Sequence, residues 1–259
     1  MAKTPFSSPL NDAIPEQLDI LYQDAHLIAV HKPAGLLVHK SPIDKHETRY
    51  AMKLLRNQIG QWVYPVHRLD KPTSGLLLFA LQPETARQVS SEFEQQSVAK
   101  DYLAIVRGYI PEFGEISHPL KEIAAFKHLQ HAADEKQAKT AVTIFQCLMR
   151  YELPYSDGRF ETSRYSLVKL QPRSGRKHQI RRHLKHISHP IVGDVKYGKG
   201  EHNRLFKRVF NNKRLLLAAQ AMTLNHPETG QRLHLQCPLA YSFTSVINQL
   251  AEFERTDIP

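Results

Sequence analysis

A carboxylate, a guanidinium and an imidazole stand together in the stretch His67–Asp70, between two mostly apolar segments. Segments 62–66 and 76–81 are typical of buried strands, and the Lys-Pro-Thr-Ser-Gly sequence between them is typical of a turn, because proline fixes φ and glycine permits positive φ. The pattern predicts that Asp70 is held at the end of rigid scaffold, where catalytic groups are usually placed. On these residues alone, a surface ion pair with Arg68 or an Asx-turn is an equal alternative for Asp70.

A second candidate feature is a basic segment around residue 180. The span 162–193 holds eight Lys or Arg residues and no acidic residue. Its apolar residues recur at helical spacing, and a separate row at i, i+4, i+8 is formed by Lys177, Arg181 and Lys185. Like charges at this spacing repel one another, so the row indicates that an anion lies against the helix.

Four histidines in the same span raise the alternative of a metal site. His183 and His186 have the i, i+3 spacing of helical ligands, but no carboxylate or thiolate accompanies them. We therefore predict no metal, and we expect these imidazoles to contact phosphate or to pack.

The stretch 190–212 is also basic and contains Leu205, Phe206 and Phe210 between its charged residues. Basic and aromatic residues in alternation can grip RNA. A solvated helix that buries its apolar face fits the same pattern equally well.

Composition limits the class of protein. The 259 residues carry 35 Lys or Arg against 25 Asp or Glu, a formal charge of +10, which favours nucleic acid as partner, although an anionic membrane surface fits the charge too. Cys147 and Cys237 stand far apart, so neither a disulfide framework nor a zinc site is supported. Neither a secretory signal nor a membrane-spanning stretch is recognisable, and we expect a cytoplasmic protein without membrane attachment.

Hydrophobic periodicity predicts the elements that must position these groups. A strand hairpin is expected over 18–22 and 26–31, with further strands over 102–106, 138–148, 163–170, 215–224 and 232–235. Helices are expected over 49–59, 83–96 and 241–253, and one that begins after Gly175. Residues 1–17 are expected to form a flexible tail, and 114–136 an exposed, mobile excursion.

Four segments, in the expected order, resemble the RluA-type pseudouridine synthases, which isomerise uridine in RNA without a cofactor. The longest match is the run 67–78, His-Arg-Leu-Asp-Lys-Pro-Thr-Ser-Gly-Leu-Leu-Leu. The other three are 29–35, Ala-Val-His-Lys-Pro-Ala-Gly; 100–108, Lys-Asp-Tyr-Leu-Ala-Ile-Val-Arg-Gly; and 174–181, Ser-Gly-Arg-Lys-His-Gln-Ile-Arg. The resemblance extends from Leu18 to the C-terminal region, and four ordered motifs are not expected by chance.

The resemblance implies a role for individual side chains. Asp70 matches the catalytic aspartate, which breaks the bond between uracil N1 and ribose C1′, either by attacking the sugar or by taking its 2′ proton. Arg181 matches the cation that keeps this carboxylate ionised, and Tyr102 matches the tyrosine that stacks on the base and assists loss of the C5 proton. Arg68 resembles the residue that fills the gap left when the target base leaves its helix.

Contact with the RNA is implied for further residues of the same motifs. The predicted substrate-binding residues are His67, Arg68, Arg176, Lys177, His178, Gln179, Arg182 and Lys185. No cofactor is implied, because none of the steps needs a redox, metal or group-transfer reagent. One departure is Ala218, where relatives commonly carry a histidine, and none of the catalytic roles depends on it.

The implied fold is α+β, with residues 18–259 as one catalytic domain. It has a central mixed, mostly antiparallel sheet, flanking helices and an RNA-binding cleft lined by Asp70, Tyr102 and Arg181. Within the family, the chain is most similar to the branch that modifies uridine 65 of tRNA, so the expected partner is tRNA and the expected state a monomer. The alternatives are a ribosomal RNA uridine isomerase with the same active site, and an RNA-binding or chaperone protein that retains these residues.

Overall fold

The computed structural model describes residues 14–40, 46–124, 137–156 and 158–256. The chain divides into two compact units: unit 1 comprises residues 1–100 and 218–241, and unit 2 comprises residues 101–217 and 242–259. The described strands are β1 Ile20–Gln23, β2 Leu27–Lys32, β3 Tyr64–Pro65, β4 Ser74–Ala80, β5 Ala99–Arg107, β6 Phe113–Ser117, β7 Val142–Leu153, β8 Ser163–Pro172, β9 Leu217–Asn225 and β10 Arg232–Gln236. The described helices are α1 Ala51–Ile59, α2 Pro83–Glu94, α3 Gln179–His186, α4 Gly200–Phe210 and α5 Tyr241–Leu250, with a 3-10 turn at Ala251–Phe253.

Unit 1 is built on a mixed sheet. Strand β2 pairs antiparallel with both β1 and β4, and β10 pairs antiparallel with β9. Every residue of β2 and β4 is buried, which is why both strands are almost continuously apolar rather than alternating. The parallel pair in this unit joins β4 to β9, with Gly75 opposite Ala219. A Cβ at Gly75 would lie 2.0 Å from the Ala219 carbonyl oxygen, so this close approach requires glycine.

Unit 2 is built on an antiparallel sheet in the order β5, β8, β7, β6. The long hairpin of β7 and β8 supplies most of its strand pairing. Helix α3 packs on this sheet through Ile180 and Leu184, which join a buried cluster with Ala104, Val168 and Leu170. The helix that carries Gln179, Arg182 and Lys185, three of the predicted RNA contacts, is therefore fixed to β5 and β8 by its apolar face.

Most of the predicted elements are confirmed, and so is the α+β class. The hairpin over 18–31, the helices near 49–59 and 83–96 and the later strands are all present, with bounds shifted by a few residues. Within the stretch 190–212, the helix α4 buries Leu205, Phe206 and Phe210 while its Arg and Lys side chains are exposed, as expected for a solvated helix with an apolar face. Contact of this stretch with RNA, the other alternative, stays a prediction. None of the helices in the described ranges has the length and hydropathy to cross a membrane.

One prediction is wrong in part, and others fall outside the described residues. Residues 114–117 belong to β6, which pairs with β7, and are not an exposed excursion. Residues 118–124 form no regular helix or strand beyond a single bridge from Leu120 to Lys139. The part of that prediction over 125–136, and residues 1–13 of the tail predicted over 1–17, lie outside the described residues. The prediction that 18–259 form a single catalytic domain stays a prediction.

Candidate active site

Asp70 lies in a hydrogen-bonded turn that leads directly into β4. Its carbonyl oxygen accepts the Thr73 amide at 3.0 Å, and the next carbonyl, that of Lys71, accepts the Gly35 amide at 2.8 Å. One of these hydrogen bonds closes the turn, and the other attaches the turn to the loop that follows β2. Because β2 and β4 are buried along their whole length, the backbone that carries Asp70 has little freedom to move.

Lys32 reinforces this turn from the interior of unit 1. Its side chain is fully buried, and its ammonium donates to the carbonyl oxygens of Pro33, Leu36 and Lys71 at 3.0, 2.8 and 3.2 Å. A buried charge is tolerated only when hydrogen bonds replace its hydration, and backbone carbonyls supply that replacement here. The sequence analysis gave Lys32 no role of its own, although a lysine at the end of the apolar run of β2 is an unusual residue for a core.

His67 is a structural member of unit 1. Its Nε2 accepts the Leu78 amide at 3.0 Å, which continues the pairing of β3 with β4, and its ring stacks on Phe93 with centroids 5.0 Å apart. Burial, and secondarily the charge of Lys100, lowers the pKa of His67 to about 3. The imidazole is therefore a neutral acceptor at physiological pH. Contact of His67 with substrate stays a prediction, whereas exposed Arg68, the next residue, is accessible to a ligand.

The depressed pKa of His67 predicts a loss of stability in acid. In the unfolded chain a histidine titrates near 6.5, so between about pH 6.5 and 3 only the unfolded state binds the proton. The contribution of His67 is fully present above pH 6.5, and it falls by up to about 1.4 kcal/mol for each pH unit below that. The measurement is the free energy of unfolding in urea from pH 7 to 4. His67→Gln, which keeps an acceptor that does not titrate, should have a shallower pH slope, and equal slopes would contradict this role.

Tyr102 lies on β5 in unit 2, opposite Leu170 of β8. The side chain is partly buried and packs against the cluster that includes Ile180 and Leu184 of α3. Tyr102 and the apolar face of α3 thus share one core. The tyrosine is held by packing on one side and retains partial exposure, which a ring that stacks on a base requires.

Arg181 is a buried residue of α3 and forms a bidentate ion pair with Asp194. Its Nε and Nη2 donate to the two carboxylate oxygens of Asp194 at 2.7 and 2.9 Å, and the two side chains are only 7% and 0% exposed. Burial alone would raise the pKa of Asp194, but hydrogen bonds from Arg181 and from the Tyr197 amide hold that pKa below its usual value. The guanidinium also lies 5.1 Å from the centre of the Tyr197 ring. The guanidinium of Arg181 is therefore buried and paired with a carboxylate rather than solvated.

Asp194 was missed by sequence reasoning. It accepts the amides of Lys196 and Tyr197, both at 2.9 Å, so one carboxylate organises the loop after α3 and holds Arg181 at the same time. The sequence held one indication of this role: Asp194 is the first acidic residue after the basic, acid-free span 162–193.

Gln179, a predicted substrate-binding residue, is buried and holds the loop before α3. Its Oε1 accepts the Ser174 hydroxyl at 2.7 Å and the Arg176 amide at 3.0 Å, and its Nε2 donates to the carbonyl of Val142 at 2.9 Å. His178, just before it, takes the left-handed conformation with φ 55°, and its Nδ1 is 2.8 Å from the Tyr197 hydroxyl. These contacts fix the conformation of the loop before α3. Direct contact with RNA by either side chain stays a prediction.

The remaining predicted RNA contacts are four basic side chains at or near the surface of unit 2. Their polar neighbours include main-chain carbonyls: Arg182 donates to that of Lys121 at 2.9 Å, and Arg176 to that of Thr140 at 3.3 Å. Lys177 and Lys185 are exposed. Because neutral carbonyls do not cancel a positive charge, this face can attract phosphate.

The histidines of the basic span were expected either to contact phosphate or to pack, and His183 packs. Its Nδ1 lies 2.9 Å from the Thr143 hydroxyl, and its Nε2 lies 3.0 Å from the carbonyl oxygen of His118. Burial lowers the pKa of this imidazole. The side chain therefore has the packing role that was one of the two expected for the histidines of this span.

The predicted catalytic residues are distributed over both units. Asp70 belongs to unit 1, and Tyr102 and Arg181 belong to unit 2. Tyr102 and α3 share a core, as described above, and a common site with Asp70 stays a prediction.

Comparison with known proteins identifies the class of this chain. The family model of RNA pseudouridylate synthases matches residues 26–186. The chain therefore belongs to the RNA pseudouridylate synthase family, whose members are isomerases.

Individual relatives support the same assignment over nearly the whole chain. The tRNA pseudouridine synthase C of Haemophilus ducreyi is 52% identical over 90% of this chain and 96% of its own length. The enzyme of the same name from Vibrio cholerae is 49% identical over 86% of this chain and 91% of its own length. Among solved structures, human RNA pseudouridylate synthase domain containing 4 has a TM-score of 0.68 at 26% identity and covers 90% of this chain and 93% of its own.

Proposed function

We propose that this chain converts a uridine of tRNA to pseudouridine, at position 65. The observation that carries the proposal is the sequence identity to relatives named tRNA pseudouridine synthase C, which is 52% and 45% for two of them over 90% of this chain and 96–97% of the relative. The anchored turn of Asp70 supports it, because the reaction needs a carboxylate in a fixed position. Residues 18–259 act as one catalytic domain, as a monomer in the cytoplasm, where tRNA is available.

In the proposed reaction Asp70 begins the cleavage of the bond between N1 of uracil and C1′ of ribose. Its carboxylate attacks C1′ or removes the 2′ proton, and both routes release the base. Arg181 favours the ionised carboxylate by its positive charge. Asp194 orients that guanidinium by the bidentate pair, which is a positioning role.

The released uracil then turns and forms a new bond from C5 to C1′. In the first route this bond displaces the Asp70 carboxylate from C1′, and in the second route Asp70 returns the proton to C2′. The proton lost from C5 is balanced by the proton gained at N1, so substrate and product have the same composition and no cofactor is needed. Tyr102 stacks on the base and assists the loss of the C5 proton. Arg68 fills the gap in the RNA helix, and exposed basic residues such as Lys177 and Lys185 bind phosphates.

The experiment that tests this proposal is tritium release from tRNA labelled at C5 of uracil. We expect release of about one equivalent of tritium per tRNA, because a single uridine loses its C5 hydrogen. A tRNA with cytidine at position 65 is the matched control and should release none. Release from ribosomal RNA but not from tRNA would instead support the alternative substrate, and release from neither RNA would contradict the isomerase proposal.

A further inference from the structure

Unit 2 contains a cavity of about 380 Å³ that is lined by none of the residues assigned above to the reaction. It opens where β5 ends, at Arg107 and Gly108, and where β8 begins, near Arg164. Tyr102 lies five residues before Arg107 on β5, a distance of about 16 Å along the strand. Because side chains alternate between the two faces of a strand, residues five apart point to opposite faces. The volume is within the range of small-molecule sites, so the cavity is a separate candidate site.

Arg107 brings a positive charge that no carboxylate among the described residues neutralises. Its Nε donates to Nε2 of His202 at 2.9 Å, and His202, only 3% exposed, has its Nδ1 at 2.7 Å from the Tyr165 hydroxyl. Because Nε2 accepts from a guanidinium, the ring is neutral and its Nδ1 carries the proton. The guanidinium is therefore held in a fixed orientation by an uncharged partner, which leaves its charge available to an anion.

Glu152 is an acidic group that contacts the cavity lining, and two arginines lie against it. Its carboxylate accepts the Thr162 hydroxyl at 2.9 Å, Arg164 Nε at 3.4 Å and an Arg255 nitrogen at 3.4 Å. The hydrogen bond from Thr162 holds the pKa of Glu152 below its usual value, so the group is ionised. The single charge of Glu152 can neutralise only one of these two guanidiniums, and Arg107 adds a further positive charge.

The cavity also has groups suited to a base and a sugar. Phe160 lines it with 56% of the residue exposed, and Arg159 lies 5.2 Å from its ring centre, which adds another positive charge. An exposed aromatic ring can stack on a nucleic acid base. His189 accompanies Ser188 in the lining, and its Nδ1 is 2.9 Å from the Arg107 carbonyl oxygen. A carbonyl oxygen only accepts, so Nδ1 is the donor, and because burial lowers the pKa of this imidazole, Nε2 is left as an acceptor for a hydroxyl group.

The glycine at position 108 makes this arrangement possible. Its φ is +81°, and a Cβ there would lie 3.2 Å from His189 Nδ1. Any other residue would be strained in that conformation and would crowd the imidazole. Glycine at the end of β5 therefore allows both the positive φ of the backbone and the close contact with the His189 ring.

We propose that this cavity binds a nucleotide, with the phosphate against Arg107 and Arg164 and the base against Phe160. Guanidiniums recognise phosphate by charge-assisted hydrogen bonds, and the aromatic ring adds stacking. The same chemistry is offered by a free nucleoside monophosphate and by the terminal nucleotide of an RNA strand. Binding here does not depend on turnover, so it is tested separately from the isomerase reaction.

The test is calorimetric titration of the full-length chain with AMP at low salt. We expect a dissociation constant below about 1 mM, and Arg107→Gln should weaken binding at least about tenfold. Phe160→Ala, at an exposed position, should weaken AMP about tenfold but leave the affinity for inorganic phosphate unchanged. Arg232→Gln removes an exposed guanidinium of unit 1 that is hydrogen-bonded to Asn225 and does not line the cavity, and as matched control it should change AMP binding less than about twofold.

Competition with tRNA distinguishes the two sources of the nucleotide. If the cavity binds an RNA end, excess AMP and Arg107→Gln should both weaken tRNA binding. If it binds a free nucleotide, the affinity for tRNA should not change in either case. No AMP binding below about 1 mM, or equal AMP binding by the wild type and both cavity variants, would overturn the proposal.

Discussion

Asp70→Asn should lower the rate of tritium release from tRNA by at least about 10⁴-fold, which corresponds to more than about 5 kcal/mol of transition-state stabilisation. The amide has nearly the same size as the carboxylate but carries no charge, so it can neither attack C1′ nor accept the 2′ proton. The turn itself is held by main-chain hydrogen bonds at Asp70 and Lys71, and these do not involve the substituted atoms. Binding of tRNA should therefore stay within about threefold of the wild type.

A matched control for this experiment is Asp19→Asn, which removes a partly exposed carboxylate from the same unit. It should leave both tritium release and tRNA binding close to the wild type. Residual release by Asp70→Asn at more than a hundredth of the wild-type rate would mean that another group begins the reaction. Loss of tRNA binding together with activity would mean that the turn had rearranged.

Asp194→Asn should lower the free energy of unfolding by about 3–5 kcal/mol and reduce kcat at least about tenfold. The substitution leaves the guanidinium of Arg181 buried without its charged partner, whereas the amide oxygen can still accept the amides of Lys196 and Tyr197. Arg181 is then no longer held by two charge-assisted bonds, so its orientation becomes less defined. The measurements are urea unfolding followed by circular dichroism, and single-turnover tritium release under conditions where the variant is folded.

The control for Asp194 is Asp101→Asn, which interrupts an ion pair with Lys169 that is partly exposed. Such pairs contribute about 0–1 kcal/mol, so this variant should unfold near the wild-type urea concentration. Asp194→Glu keeps the charge and should recover part of the activity of Asp194→Asn. If Asp194→Asn were as stable and as active as the wild type, the pair would not position Arg181.

Elements with strong local patterns could be predicted from the sequence. Met52, Leu55 and Ile59 have helical spacing, and the run 76–81 is too apolar for anything but a buried strand. Strand β6 could not be predicted this way, because Gly114 interrupts its pattern. In the structure Gly114 lies opposite Phe145 of β7, and a Cβ at this glycine would be 2.5 Å from the phenylalanine ring. The glycine accommodates a ring from a distant part of the chain, which a local window does not include.

The same limit applies to the candidate site. Motif residues identify Asp70 and Arg181, but the carbonyls that bind Lys32 and the carboxylate that pairs with Arg181 depend on tertiary contacts. Gln179 was expected to bind substrate, and its side chain is buried in a network with Ser174 and Val142. Within a motif, residues that touch substrate and residues that hold the loop have the same polar character in the sequence.

The pairing of β4 with β9 has a consequence for how the protein is made. Ser74 and Ala218 are neighbours in this parallel pair, although most of unit 2 lies between them in the sequence. During synthesis on the ribosome, β4 emerges long before β9, so the first residues of β4, Ser74 and Gly75, wait without this partner while β3 already pairs with the end of the strand. Contacts so distant in sequence also slow folding. Residues 101–217 of unit 2 are translated before residues 218–241 of unit 1, and we expect the sheet of unit 2 to form before unit 1 can be completed.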